Sequence, residues 1–307
     1  MITLNTDKGL VKVASWEDVT GRIGFRENLD PKEHELGSII GRYLFGDKVR
    51  CGLSDCHTPH TRGYLVTTKT GLETNIGKDC GSKYFGVDFT DQARQFERDI
   101  AEKDYRESLW TLRIALEAIE DRIETLRGGE DGARWVHKQL SILRNPSRIP
   151  VAITRTLDQM VRQKSGQLTV AREATELEIE QMAAVQRKKD LPRPQYIDEP
   201  AGVIHGIEAM YAENNLRELL TVQLEEEIKV FKEVDIDLLP FKDLGRWSRW
   251  EQTIEKTLDT ARESVAHGRT LLTQRNLAPL LRKIAPSNPQ EEERFTYFLD
   301  PLPKGSA

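Results

Sequence analysis

The clearest periodic pattern in this 307-residue chain lies in its middle third and is typical of a long amphipathic helix. Apolar residues recur there at separations of 3, 4, 3, 4 and 3, at Leu109, Leu112, Leu116, Ile119, Ile123 and Leu126. This heptad spacing places the side chains in one stripe. With Thr90 as N-cap and Gly128-Gly129 as a C-terminal stop, we predict a helix of about 35 residues, roughly 50 Å long. Its stripe needs a partner helix, within the chain, in a second subunit, or both.

Two further helices are predicted directly after this one. Residues 132–150 form the first and end near Asn145-Pro146. Pro150 opens the next, because proline fits the first turn of a helix. This third helix is expected to cover residues 151–189, with Ser165-Gly166 as a candidate break, and to be the antiparallel partner of the long helix.

The C-terminal part is predicted to be a helical bundle beyond a linker at residues 188–202, which holds three prolines and no helical period. One apolar stripe covers residues 216–231 and a second covers 247–265, where Trp247 and Trp250 are expected core residues. Pro279 is expected to start a last short helix. The tail, residues 287–307, is predicted to be loosely ordered.

The N-terminal part has shorter patterns. Residues 10–14 and 23–25 are strand-like, and residues 33–45 fit either a short helix or an extended segment. Alternating residues on both sides of Lys69-Thr70-Gly71 predict a β-hairpin. The fold class is therefore mainly α. We expect a small α+β module (residues 1–89), a long antiparallel helical hairpin or coiled coil (90–189) and a C-terminal helical domain (190–307).

Composition agrees with long solvated helices and limits the functional classes. The chain is 38% hydrophobic and 31% charged, with a net charge of −5, which argues against a uniformly basic nucleic-acid binder. No apolar run approaches the roughly 18 residues that cross a bilayer, and the N-terminus lacks a signal-peptide core. We therefore expect a cytoplasmic protein with reduced cysteines, in which clustered cysteines indicate a metal site rather than disulfides.

All three cysteines of the chain, Cys51, Cys56 and Cys80, lie in the stretch 48–86 with two histidines, His57 and His60. Cys51 and Cys56 are separated by four residues, and the predicted hairpin lies between them and Cys80. The glycine-rich sequence around Cys80 is predicted to start a helix. Three thiolates and one imidazole form a soft tetrahedral donor set that suits zinc.

A two-ligand turn, a hairpin and a helix bearing a further ligand resemble the treble-clef class of zinc fingers. The stretch also matches small finger modules of bacterial and phage proteins, with the form C-G-x3-C-x3-H-x2-G-Y-x-V followed by I-G-x2-C-G-x-K-x-F-G. We predict one structural zinc ion on Cys51, Cys56, His60 and Cys80, with His57 as the alternative to His60. The competing interpretations are a reduced cluster without metal and a nuclease-type use of His57.

A basic stretch follows the long helix. Residues 132–172 contain one acidic residue, Asp158, and eight basic residues: Arg134, Lys138, Arg144, Arg148, Arg155, Arg162, Lys164 and Arg172. Such a stretch next to a zinc finger suits contacts with nucleic-acid phosphates. The alternative is that these side chains form ion pairs with Glu173, Glu176 and Glu180 of adjacent helices.

The sequence shows no phosphate-cradling glycine loop and no combination of acid, base and nucleophile, so we do not expect an enzyme or a small-molecule substrate. The favoured hypothesis is a non-enzymatic zinc-binding protein associated with DNA or RNA. The alternative is a regulatory factor of bacterial or phage origin that docks on a larger protein assembly through its helices, or forms a homodimer through them. An unpaired basic surface favours the first, and an exposed apolar stripe favours the second.

Overall fold

The fold is known from a computed structural model, which describes residues 1–6, 9–187, 190–285 and 287–305. It is mainly helical, with a small antiparallel sheet near the N-terminus, as the sequence predicted. None of the helices in these described ranges combines the length and the apolar character needed to span a membrane.

Seven strands lie in the described residues: β1 (Ile2–Thr6), β2 (Gly9–Val13), β3 (Leu36–Arg50), β4 (Pro59–Thr68), β5 (Glu73–Ile76), β6 (Gln167–Glu173) and β7 (Tyr196–Val203). The first five form one antiparallel sheet in the order β2-β1-β3-β4-β5. The last two form a separate two-stranded antiparallel sheet.

Nine α-helices occur in the same part of the chain: α1 (Glu17–Thr20), α2 (Lys78–Arg127), α3 (Ala133–Leu143), α4 (Val151–Gln163), α5 (Glu176–Val185), α6 (Glu227–Lys232), α7 (Phe241–Leu271), α8 (Gln274–Leu277) and α9 (Pro289–Leu299). Short 3-10 helices cover Ile207–Met210, Ala212–Asn214, Ile236–Leu238 and Ala278–Lys283, and Glu218–Glu226 is π-helical.

The chain divides into two compact units. Unit 1 contains Met1–Thr111 and Ile236–Ser248, and unit 2 contains Leu112–Asp235 and Arg249–Ala307. The domain boundaries predicted at residues 89 and 189 stay a prediction.

The sheet of unit 1 is built as the N-terminal sequence pattern indicated, with one exception. Strand β2 covers the predicted residues 10–13, and the predicted hairpin is present, with Tyr64 opposite Ile76. Residues 33–45, for which the sequence allowed either a helix or an extended segment, are mostly extended, because residues 36–45 belong to β3. Residues 23–25 do not form a strand, although Phe25 makes an isolated bridge to Glu73.

Two apolar clusters hold this sheet in place. One packs β3, β4 and β5 against the start of α2. It includes Leu53, Ile76 and Phe89, which are fully buried. The other surrounds Tyr43. There, the Trp16 ring makes an edge contact with the Tyr43 ring at a centroid distance of 5.1 Å. Cys51 also belongs to the first cluster, so part of the stretch that contains the cysteines is anchored in the apolar core.

Helix α2 consists of two helical pieces joined at a kink, and the first begins at Lys78, as predicted for the sequence around Cys80. It is interrupted at Gly86, whose φ of 64° and ψ of −138° are not helical. Glycine suits this position, because a side chain is strained at positive φ. After the break the chain folds Phe89 back onto Gly81, where an added methyl group would lie only 2.6 Å from the ring atom Cε2.

The predicted heptad stripe on α2 is buried apart from Leu126. Ion pairs connect the C-terminal half of this helix with later parts of unit 2, including Arg122 with Glu255 of α7 at 2.7 Å and Lys232 of α6 with Glu120 at 2.6 Å. The long helix fits a helical hairpin, whereas the coiled coil stays a prediction.

The predicted third helix over residues 151–189 is wrong. Helix α4 ends at Gln163, because Lys164 adopts the left-handed conformation with φ 49°. The chain then enters β6, which pairs with β7, so the C-terminal part of the predicted proline-containing linker, residues 196–202, is a strand. Residues 188 and 189, where the predicted helix ends and the predicted linker begins, lie outside the described residues.

The tail also differs from the prediction of a loosely ordered segment. Residues 289–299 form α9, which Asn288 caps by accepting a hydrogen bond from the backbone N–H of Glu291. Phe295 is fully buried and stacks on Phe298 with ring centroids 6.1 Å apart. Burial of these aromatic rings offsets the entropy cost of ordering a polar segment.

Candidate metal centre

Three elements of unit 1 bring the three cysteines together. Cys51 directly follows β3, Cys56 lies in the turn that leads to β4, and Cys80 is in the first turn of α2. The turn is closed by backbone hydrogen bonds from Cys51 N–H to Thr58 O and from Cys56 N–H to Leu53 O, both 3.2 Å long. Hairpin β4–β5 connects this turn to the helix. This order of a turn, a hairpin and a helix is compatible with a zinc module.

The geometry of the three sulfur atoms fits one bound metal ion. All three lie within 4.8 Å of one another, and Cys56 Sγ is 3.0 Å from Cys80 Sγ without a disulfide. Thiolates bound to one tetrahedral zinc ion at about 2.3 Å stand about 3.8 Å apart. The 3.0 Å separation is shorter than that value and the 4.8 Å limit for all three pairs exceeds it, so the cysteine cluster can hold a metal.

The surroundings of the sulfurs favour a mixture of thiol and thiolate before a metal binds. Although burial acts to raise the pKa of Cys56, hydrogen bonds from Cys80 and Thr58 lower it to about 7. Burial and the bond to Cys56 raise the pKa of Cys80 to about 12. Burial also raises the pKa of Cys51, against backbone hydrogen bonds from Leu53 and Gly77. Metal binding at neutral pH must therefore displace protons.

The structure does not bring His60 into the group of three sulfurs. Its Nδ1 lies 3.0 Å from Thr58 O, and its Nε2 is hydrogen-bonded to the Tyr43 hydroxyl. The ring nevertheless lies beside the cluster, because a methyl group added at Gly77 would be 3.4 Å from it. The N–H of Gly77 is one of the donors to Cys51.

His57 is also outside the group of sulfurs, and it has a left-handed backbone with φ 50°. Its Nδ1 lies 3.2 Å from the carbonyl oxygen of Cys51. A histidine that binds a metal through Nε2 commonly donates its Nδ1–H to a backbone carbonyl. Both histidines have such a carbonyl partner, so this contact alone does not choose between them.

Sequence reasoning missed Tyr43 and Asn75, which connect the cluster to the sheet. The Tyr43 side chain is 0% exposed, and its hydroxyl accepts a hydrogen bond of 3.2 Å from Asn75 Nδ2. Burial raises the pKa of Tyr43, and charge on Cys51 and Cys80 raises it further, so the hydroxyl remains protonated. In the sequence, Tyr43 carried no signal beyond being one more aromatic residue in a segment that fitted either a short helix or an extended chain.

No protein-family model, curated protein or solved structure matches this chain. Its function has to be inferred from its own residues and their geometry.

The basic residues predicted to contact nucleic acid lie in unit 2, on α3, on α4 and at the ends of these helices. All seven are exposed: Arg134, Lys138, Arg144, Arg148, Arg155, Arg162 and Lys164. Lys138 is one helical turn after Arg134 on α3, and Arg162 is two turns after Arg155 on α4. Each pair therefore lies on one side of its helix.

Three of these seven side chains have partners within the chain. Arg134 lies 3.9 Å from Glu124, Lys164 pairs with Glu213 at 3.3 Å, and Arg144 donates a hydrogen bond to the carbonyl oxygen of Met210. Among the described residues, Lys138, Arg148, Arg155 and Arg162 form no ion pair.

Proposed function

We propose that this protein binds nucleic acid without catalysing a reaction, through the basic segment, defined as residues 132–164. The observation that carries the proposal is the set of four exposed cations without an ion pair in the described part of the chain: Lys138, Arg148, Arg155 and Arg162. Exposed Lys and Arg side chains that are free of carboxylates can neutralise backbone phosphates and release their counterions.

Among the described residues, none of the three glutamates considered as intramolecular partners, Glu173, Glu176 and Glu180, forms an ion pair with the basic segment. Glu176 pairs with Arg193 at 2.7 Å. Arg172, which lies beyond the basic segment, does pair with a neighbouring glutamate, Glu178, at 2.7 Å. The only acidic residue inside the basic segment is Asp158. Its local net charge is therefore strongly positive, although the whole chain carries −5.

The alternative hypothesis, docking on a protein assembly through an apolar helical stripe, has less support. The stripe on α2 that could have served this purpose is buried from Leu109 to Ile123. Large exposed apolar side chains do occur on helices, for example Ile114 and Val185, but single exposed apolar residues are normal on protein surfaces.

We further propose that unit 1 is stabilised by one structural zinc ion on Cys51, Cys56 and Cys80, with His60 as the fourth ligand. Three thiolates and one imidazole suit zinc, and four protein donors leave no coordination position for a substrate. His60 is favoured because its Nε2 is hydrogen-bonded to the Tyr43 hydroxyl, which is near Cys51 and Cys80, so this nitrogen lies on the side of the cysteine cluster.

Nucleic-acid binding is expected to depend on the basic segment and on salt. A variant carrying Lys138→Glu and Arg155→Glu should bind roughly tenfold more weakly at low salt, because it loses two phosphate contacts. The slope of log affinity against log salt should fall by about 2. Fluorescence anisotropy measures the affinity and its salt dependence. The probes are labelled duplex DNA, single-stranded DNA and RNA, at salt concentrations from about 50 to 200 mM.

The matched control reverses one arginine and one lysine elsewhere in unit 2. Arg249 and Lys256 of α7 are exposed and form no ion pair among the described residues. Arg249→Glu with Lys256→Glu should therefore bind like the natural protein. Equal weakening by both double variants, or no binding to any of the three nucleic acids at low salt, would contradict the proposal.

The two histidines serve as each other's control for the fourth zinc ligand. His60→Ala is expected to weaken zinc binding by roughly 10- to 100-fold, because water replaces an imidazole donor. His57→Ala should change zinc affinity by a few-fold at most. Competition with a chromophoric chelator measures both constants. If His57→Ala produced the larger loss, His57 and not His60 would be the fourth ligand.

A further inference from the structure

A cleft with a volume of about 410 Å³ lies on unit 1, between the sheet and the start of α2. Its size is in the usual range of small-ligand sites, about 300–1,000 Å³. Three cationic side chains line it, Arg42 from β3, Arg62 from β4 and Lys78 from α2, together with one carboxylate, Glu97. The lining therefore has an excess of two positive charges.

Two of these cations are available to a ligand. The side chains of Arg62 and Lys78 are exposed, and neither forms an ion pair in the part of the chain that the structure describes. Register explains their proximity: Tyr64 lies opposite Arg42 and also opposite Ile76, two residues before Lys78. Three separate elements thus contribute one cation each to the same cleft.

The third cation, Arg42, is held in position by the carboxylate. Its Nη1 donates a hydrogen bond to Glu97, and the Tyr64 hydroxyl donates to the other oxygen of Glu97 at 3.0 Å. Burial, and then Glu97, raise the pKa of Tyr64 to about 12, so this hydroxyl keeps its proton. A guanidinium has five N–H donors. Only Nη1 of Arg42 is used among the described residues, so the remaining donors can reach a ligand.

The floor of the cleft is rigid. Gly63 lies opposite Tyr43, whose side chain is fully buried and whose hydroxyl accepts a hydrogen bond from Asn75. Since the cations stand on paired strands and a helix start, the cleft is organised before a ligand arrives. Such preorganisation lowers the cost of binding.

From this geometry we propose that the cleft is a binding site for a phosphate monoester. Arg42 provides a planar donor set that matches phosphate oxygens, and Arg62 and Lys78 neutralise the charge. A free nucleotide and the terminal phosphate of a nucleic-acid strand present the same group. The site lies in unit 1 and uses none of the residues of the basic segment, so it goes beyond the nucleic-acid binding proposed above.

The test uses the full chain loaded with zinc and isothermal titration with four probes: adenosine 5′-monophosphate, adenosine, a 5′-phosphorylated oligonucleotide and the same oligonucleotide without the phosphate. Arg62→Glu with Lys78→Glu should weaken binding of the monophosphate roughly 100-fold, about tenfold for each lost charge-assisted contact. Lys78 is the first residue of α2, where glutamate is favourable, so this substitution should not disturb the fold. Zinc content and the unfolding midpoint verify that.

Lys138→Glu with Arg155→Glu is the charge-matched control. This control should leave the affinity for the monophosphate unchanged and lower the affinity for long nucleic acids. The Arg62–Lys78 double variant should lower the affinity for the monophosphate and leave the affinity for long unphosphorylated nucleic acids unchanged. Stronger binding of the phosphorylated oligonucleotide than of its unphosphorylated form, lost in the Arg62–Lys78 double variant, identifies a strand end as the ligand. Equal binding of the two forms, together with binding of the monophosphate, identifies a free nucleotide. The proposal is overturned if no phosphorylated probe binds, if adenosine binds as well as its monophosphate, or if Arg62→Glu with Lys78→Glu leaves the affinity unchanged.

Discussion

Replacing Cys51 by serine is expected to abolish zinc retention and to unfold the N-terminal sheet. Cys51 is 1% exposed and supplies one of the three clustered sulfurs. A serine hydroxyl is a poor zinc donor and would be buried at this position. Metal affinity should fall by more than about 100-fold, since even losses around the ligands cost 10- to 100-fold. Because structural zinc contributes about 10–16 kcal/mol in finger peptides, much of the stability of unit 1 should be lost with it.

Zinc content by elemental analysis and near-UV circular dichroism of the aromatic residues around Trp16 measure this effect. Thr58→Val is the control, because it removes the hydrogen bond that Cys56 Sγ donates to Thr58 Oγ1 but keeps all three thiols. It should retain zinc. Acid should mimic the cysteine variant, since protons compete with zinc for the thiolates as the pH falls. A Cys51→Ser protein that holds one zinc ion per chain and unfolds like the natural protein would refute the metal centre.

A second large effect is expected from Gly63→Ala. An added Cβ would lie 2.5 Å from the Tyr43 hydroxyl and closer still to the carbonyl oxygen of Ile76. The second of these is a backbone atom of the adjacent strand β5, and Tyr43 is held by hydrogen bonds, so neither can move at low cost. We expect the free energy of unfolding to fall by about 3 kcal/mol or more. Urea denaturation of the zinc-loaded protein measures it.

Gly46→Ala is the matched control on the neighbouring strand β3. No atom lies within 4 Å of the position that its Cβ would take. The same chemical change should therefore leave the unfolding midpoint nearly unchanged. If both variants lost the same stability, the close approach of β4 and β5 at Gly63 would not be the cause.

Local patterns made the helical parts of the fold predictable. The apolar residues of α2, the Pro150 start of α4 and the stripe of α7 all follow from helix periodicity and proline geometry, which act over a few residues. Strand β6 could not be predicted in this way. Val170 and Ala174 also fit a helical spacing, and the partner strand lies beyond α5, so only the non-local pairing with β7 decides the conformation.

The same distinction applies to the candidate sites. The cysteines could be grouped from sequence, because metal ligands have few alternatives and the hairpin between them was readable. The side-chain directions of His57 and His60 could not be predicted. His57 has a left-handed backbone, and the His60 ring is hydrogen-bonded to Tyr43. The cleft was invisible in the sequence because Arg42, Arg62 and Lys78 become neighbours only through the register of β3, β4 and β5.

The break at Gly86 has a consequence for how this chain can vary. The Phe89 ring packs on Gly81 across the break. Cys80 is the residue before Gly81 and lies in the same helical turn. One inserted residue in an α-helix rotates everything after it by about 100°. An insertion or deletion between residues 81 and 89 would therefore turn the Phe89 ring away from its contact with Gly81, next to Cys80. Homologous chains should keep this interval at a constant length, even where the loops around it differ.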